Sequence, residues 1–127
     1  MSKTVLLWHS GQGHRPGGVP DHFDWLIERP DVPGRGLLTF RVPVRIDLPE
    51  CIGFHAEHIG DHRTGYLAYE GPVSGGRGEV HRVASGECQR LVETETLMEA
   101  VAVFGGRRIT YTGRLAGGVW VFSVAGA

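Results

Sequence analysis

Cysteine is scarce in this 127-residue chain, which has only Cys51 and Cys88. No CxxC spacing exists, so finger- and ribbon-type zinc sites are excluded. The two thiols read as reduced, packed residues of a cytosolic protein rather than as a disulfide. Long apolar runs are also lacking. None approaches membrane-spanning length, and "VLLW" after Lys3 is too short for a secretory leader, with no cleavage site behind it. A cytoplasmic protein without a membrane partner is expected. Charge of one sign is missing too. The formal net charge is −1, which argues against gripping nucleic acid everywhere by bulk charge and leaves room only for a local basic groove. There is no internal repeat, no linker and no Walker-type lysine motif.

What is present suits one domain over residues 1–127, with 41% hydrophobic residues to fill one core. The 20 glycines are scattered as GG, GR and SG pairs, which fits turns between short strands. "KTVLLWHS" reads as a first strand, followed by the glycine- and proline-rich loop "GQGHRPGGVP". "DHFDWLIE", residues 21–28, reads as a second strand. One face carries Phe23, Trp25 and Ile27; the other carries His22, Asp24, Leu26 and Glu28. "LLTFRVP" is a third strand ended by Pro43. "RIDLPECIGFHAEHIGDHR" is expected to hold a short helical turn or irregular chain. "TGYLAYEGP" alternates and is expected to be a strand. "GGRGEVHRVASGE" gives a strand and a turn. The Val and Thr content of "CQRLVETETLMEAVAVFGG" favours one or two strands over a helix. "RRITYTGRLAGGVWVFSVA" is a final hairpin whose Tyr111, Trp120 and Phe122 pack inward or against neighbours. Many short strands with no long helix predict an all-β fold, a small antiparallel, closed or nearly closed barrel, which leaves no exposed edge.

Seven histidines are many for this length. His22 and Asp24 share a strand face at a backbone spacing of about 6–7 Å. His9 ends the first strand, so pairing of strands one and two brings it beside His22. An imidazole and carboxylate set of this kind suits Mn²⁺ or Zn²⁺. His-x-Asp is also a common accident, and a solvated face with Asp24 paired to an arginine is the commoner outcome of that spacing. On a helix, His55, His58 and His62 would share a face, but Gly53, Gly60 and Gly65 oppose a helix there. His62, between Asp61 and Arg63, is a better candidate for phosphate contact. "YEGPVSGGRGEV" offers backbone N–H groups that could cradle an anion, or simply forms a tight β-turn.

In this order, "HFDWLIE", "LTFRVP", "DHRTGYLAYEGPVSGGRGEVHRVASG" and "GRLAGGVWVFSV" resemble the 3′-phosphoesterase domain of bacterial DNA ligase D. That family carries H…HYDxRLE, a strand ending in V-P, DHPxxYxxFEGxIPxGxYGxGxV and a closing GxLxGxWxL hairpin. The likeness is collinear over nearly the whole chain, and Asp61, His62, Tyr66, Glu70, Gly71 and Gly78 fall at matching spacing. It implies a free-standing, shortened member without ligase or polymerase modules. It also implies a catalytic metal, usually Mn²⁺, on His9, His22 and Asp24, with Zn²⁺ or another divalent ion as substitutes. His62 would contact the scissile phosphate and Tyr66 would lie beside it. The implied activity trims nucleic-acid 3′ ends for strand-break repair, removing a terminal ribonucleoside and then the 3′-phosphate. A separate ligase or polymerase would use the resulting 3′-OH, and a monomer is expected. The departures are Leu26 for an arginine, Val44 for a lysine and Leu7 for a glutamine. Arg15, Arg41, Arg63 and Arg77 are the cations that could compensate as phosphate-binding groups. The alternative is a non-catalytic barrel that binds nucleic-acid ends or a repair partner.

Overall fold

A computed structural model describes residues 2–13, 16–29, 32 and 34–126. His14 and Arg15 of the first loop lie outside the described residues. Alternating apolar residues extend the chain into β1 (Ser2–Ser10), β2 (His22–Ile27), β3 (Leu37–Val42), β4 (Gly53–His62), β5 (Gly71–Pro72), β6 (Glu79–Glu93), β7 (Leu97–Phe104), β8 (Arg107–Ala116) and β9 (Val119–Gly126). All pairings are antiparallel, in the order β1-β2-β3-β4-β9-β8-β7-β6-β5. A further β1–β6 pairing closes eight of these strands into a ring. The barrel read from the sequence is the barrel observed, and its closure removes the unpaired edges that antiparallel sheets must otherwise protect. Among the described residues, no helix is long and apolar enough to cross a membrane.

The barrel is filled by aromatic side chains. Trp25 is fully buried, with Tyr111 at 4.7 Å and Phe122 at 5.7 Å between ring centroids. Phe54 stacks on Phe122 at 5.0 Å. Of the two placements expected of Tyr111, Trp120 and Phe122, the inward one is found, since all three are buried in this core. Their polar atoms are satisfied as burial requires. The Trp25 indole N–H donates to Thr4 Oγ1 at 2.9 Å, and the Tyr111 hydroxyl donates to the Ile46 carbonyl at 2.7 Å. Gly113 leaves space for Phe122, because a Cβ there would stand 2.5 Å from the ring.

A second apolar cluster lies outside the barrel. Val5 and Leu7 of β1, Leu26 of β2, Leu37 of β3 and Val80 of β6 form it, roofed by Tyr66, Leu67 and Val73. Two sequence expectations are corrected by the fold. Residues 64–70 do not form a strand. Thr64–Leu67 is a 3₁₀ turn, held by Tyr66 N–H to Arg63 O at 3.0 Å and Ala68 N–H to Gly65 O at 3.2 Å. An alternating strand would send Tyr66 and Leu67 to opposite sides, whereas the turn packs both on the outward-facing leucines of β1 to β3 and buries them. Residues 53–62 are neither helical nor irregular but form β4, with Phe54 and Ala56 facing the core.

Gly78 sets the approach of β6 to the end of β1. Its φ is +78°, and a Cβ there would stand 2.0 Å from the Ser10 carbonyl oxygen. The bare backbone therefore lets the turn before β6 close over the strand end that carries His9.

Candidate metal centre

The β1–β2 register places His9 directly opposite His22 and Leu7 opposite Asp24. Cross-strand neighbours and the two-residue strand period thus bring three side chains to one outward patch. One nitrogen or oxygen from each of His9, His22 and Asp24 lies within 4.8 Å of the others. His9 Nδ1 is 3.0 Å from Asp24 Oδ2, and His22 Nε2 is 3.0 Å from Asp24 Oδ1. Asp24 and His22 are buried, and His9 is nearly so.

The outer nitrogens of both rings face backbone carbonyls. His22 Nδ1 lies 2.8 Å from Pro20 O, and His9 Nε2 lies 2.7 Å from Arg77 O. A carbonyl only accepts, so both of these nitrogens carry protons and donate. The Gln12 amide also sits 3.0 Å from His9 Nε2, an arrangement that suits its oxygen end. Each inner nitrogen is thereby turned toward Asp24. A backbone carbonyl on the outer nitrogen is how metal-ligating histidines are oriented.

His22 Nε2 and Asp24 Oδ1 are both buried without a hydrogen bond, although they are 3.0 Å apart. The contact has the distance of a hydrogen bond without its angles. With Nδ1 holding the ring's proton, neutral His22 offers a lone pair to a carboxylate lone pair. Two such atoms repel unless a proton or a metal ion lies between them. The residues present therefore fit a divalent ion, in donor type and in this unmet demand.

Electrostatics follow the same geometry. Hydrogen bonding to Asp24 raises His9 above its ordinary 6.5; burial opposes this, and the Arg77 carbonyl reinforces it. Burial alone would push the Asp24 carboxyl up, but hydrogen bonding and charge from the His22 and His9 rings, when these carry protons toward it, outweigh it and bring the carboxyl down to about 2. Asp24 is therefore a carboxylate at neutral pH.

The cluster forms one end of an open cavity of about 450 Å³. His62, Tyr66, Arg41, Arg63 and Arg77 line it with His9, His22 and Asp24, so the eight site residues read from the sequence share one cavity. His62 is half-buried. Its Nδ1 donates to Gly60 O at 3.1 Å, which leaves Nε2 without that bond, and Tyr66 packs edge-on to its ring at 5.5 Å. Arg41 lies opposite Asp24 on β3, where its charge lowers the affinity of His9 for a proton, and its Nη1 is bonded to Glu57. Arg77 Nε donates to Ser74 O at 2.7 Å. Arg63 is exposed and makes no ion pair among the described residues.

Sequence reasoning missed Gln12, Glu57 and Arg29. Glu57 faces Arg41 across the β3–β4 ladder, a pairing that follows only once residues 53–62 are read as a strand. Arg29 is buried just after β2. It grips both oxygens of Asp61 at 2.9 and 3.1 Å and both of Glu93 at 2.9 Å, so it ties the end of β2 to the residue before His62. No sequence signal pointed to it, because its partners lie 32 and 64 residues away.

No protein-family model matches this chain, and no curated protein matches it.

Proposed function

We propose that the protein is a metal-dependent phosphoesterase that processes DNA or RNA 3′ ends in strand-break repair, as the resemblance to the ligase D phosphoesterase domain implies. One observation carries the reading. Two imidazoles, each turned by a backbone carbonyl, aim their inner nitrogens at the two oxygens of one buried carboxylate, at the end of a cavity that also holds three arginines. His9 Nδ1, His22 Nε2 and Asp24 would hold Mn²⁺, with Zn²⁺ or another divalent ion as substitutes. The ion would supply Lewis-acid polarisation of a phosphate oxygen.

The chain's own groups do the rest. Arg63, Arg41 and Arg77 draw the phosphate into the cavity and oppose its charge. His62, when protonated on both nitrogens, would donate from Nε2 to a phosphate or leaving oxygen, and Tyr66 keeps that ring in place. The product would be a 3′-OH, the end that a separate ligase or polymerase requires. The free thiols of Cys51 and Cys88 suit the reducing cytoplasm.

A second reading rests on a specific observation. Leu7 and Leu26, which replace a glutamine and an arginine of the family pattern, are fully buried in the outer apolar cluster. Two polar groups beside the phosphate are thus gone, which favours a protein that binds ends without cleaving them.

The test is incubation with Mn²⁺ and primer-templates ending in a ribonucleotide or a 3′-phosphate. Wild type is expected to release the terminal group slowly, and Asp24→Ala and His62→Ala to lose at least a hundredfold of that rate, about the contribution of one such group. End binding with no turnover under any divalent ion would establish the second reading. Neither binding nor turnover would sink both.

A further inference from the structure

One cross-strand row of the barrel carries three charges of alternating sign. The β2–β3 ladder sets Asp24 opposite Arg41, and the β3–β4 ladder sets Arg41 opposite Glu57. Directly opposed residues turn their side chains to one face, with Cβ atoms about 4.5–5.5 Å apart. Arg41 therefore stands between two carboxylates. Asp24 is buried in the His9–His22–Asp24 cluster, whereas 62% of the Glu57 side chain is exposed. The guanidinium takes the exposed partner. Its Nη1 donates to Glu57 Oε1, while the ion pairs of Asp24 are with His9 and His22.

That choice keeps apart two groups that suit each other. Asp24 is already out of water, so a cation beside it is screened less than one beside Glu57. Asp24 Oδ1 is buried without a hydrogen bond, and so is Arg41 Nε. An unmet acceptor and an unmet donor thus occupy neighbouring positions of one row. Arg41 is also near enough for its charge to lower the affinity of His9 for a proton. A guanidinium released from Glu57 would turn to Asp24 and satisfy Oδ1. It would then cover an oxygen that a divalent ion needs and repel that ion by its own charge. An arginine paired to the aspartate is the commoner outcome of His-x-Asp spacing, and Arg41 is the arginine placed to produce it.

We propose that Glu57 is a positioning residue: it holds the Arg41 guanidinium away from Asp24 and so keeps the His9–His22–Asp24 cluster open to a divalent ion. The inference rests on the metal-dependent reading of that cluster. Glu57 is not among the described residues that line the cavity, so its effect on the ion passes through Arg41. A phosphate entering the cavity takes the place of Glu57 as the anion on Arg41, and Asp24 stays with the ion.

Calorimetric titration of Mn²⁺ into the metal-free protein, over a double-mutant cycle, tests this. Glu57→Gln should weaken Mn²⁺ binding about tenfold or more, the loss typical of residues that position metal ligands. Arg41→Gln should bind Mn²⁺ at least as tightly as wild type, because it removes the competitor. Combining Arg41→Gln with Glu57→Gln should restore wild-type affinity or better, a rescue that damaged folding or packing would not give. Glu99→Gln is the control. It removes a carboxylate paired with Arg90 and should leave Mn²⁺ binding unchanged. Wild-type affinity retained by Glu57→Gln would overturn the positioning role alone. So would equal losses from Glu57→Gln with and without Arg41, which would make Glu57 a plain electrostatic attractor of the cation. Failure of wild type and every variant to bind Mn²⁺ or Zn²⁺ would instead remove the metal-dependent reading, and the inference with it.

Discussion

Leu26 stands where the ligase D pattern has an arginine, two residues beyond Asp24. Taken from the sequence alone, this is a lost cation. In the fold it is also a gained contact, because Leu26 is fully buried with Val5, Leu7, Leu37 and Val80. Leu7, another departure, belongs to the same cluster, so the two replacements support each other. The third departure, Val44, is 43% exposed and has no such packing role among the described residues. Restoring the arginine alone should therefore harm the protein. Leu26→Arg would bury a guanidinium against leucines with no carboxylate in that cluster, a cost of several kcal/mol. A fall in Tm of roughly 10 °C or more is expected for a chain of this size. An unchanged Tm with increased phosphatase activity would show that the site still accepts the family's cation.

At the scale of elements, β1, β2 and β3 were legible because their inward residues alternate strongly. Pairing β1 with β2 was enough to bring His9 to His22. β4 was hidden for a physical reason. Only Phe54 and Ala56 of its first residues face the core, and its outward positions carry histidine, glutamate and glycine, the composition of a loop. The 64–67 turn was misread because its alternation says nothing about the outer leucines that it must cover. The Arg29 clamp was illegible because it joins the ends of β2, β4 and β6, which meet only in the closed barrel. The clamp has a pH signature. Its bond to Arg29 holds the Glu93 carboxyl below its ordinary 4.5, against burial. A depressed carboxylate contributes stability that is fully present above that ordinary value and is lost as pH falls through the lowered one. Wild type should therefore melt roughly 3–6 °C above Glu93→Gln at neutral pH, as expected for a lost charged hydrogen bond. The gap should close on acidification below 4.5. A gap that persists undiminished at pH 3 would show that Glu93 acts through packing and not through its charge.

At the scale of the whole molecule, the 13 basic and 14 acidic residues are arranged so that six of the twelve arginines stand in ion pairs. Arg29 and Arg35 meet Asp61, Arg41 meets Glu57, Arg45 meets Asp47, Arg82 meets Glu70 and Arg90 meets Glu99. The cavity brings three of the arginines together, Arg41, Arg63 and Arg77. A nucleic-acid end held there, with a phosphate displacing the exposed Glu57 from Arg41, would have about three phosphate charges offset. Each offset charge on a single strand contributes about 0.7 to the slope of log affinity against log salt, so a slope near −2 is expected. Such binding weakens roughly sixteenfold when salt rises from 50 to 200 mM, far less than for a protein that tracks a long duplex. Arg63 makes no ion pair among the described residues, so it is the cation most free to serve a phosphate. Arg63→Ala should flatten the slope by about 0.7, whereas Arg90→Ala, at the paired Glu99, should leave it unchanged. Fluorescence anisotropy of a labelled 3′-phosphorylated oligonucleotide over a salt series measures both. A slope steeper than about −5, unmoved by Arg63→Ala, would place the nucleic acid on some other face of the barrel and detach it from the His9–His22–Asp24 cluster.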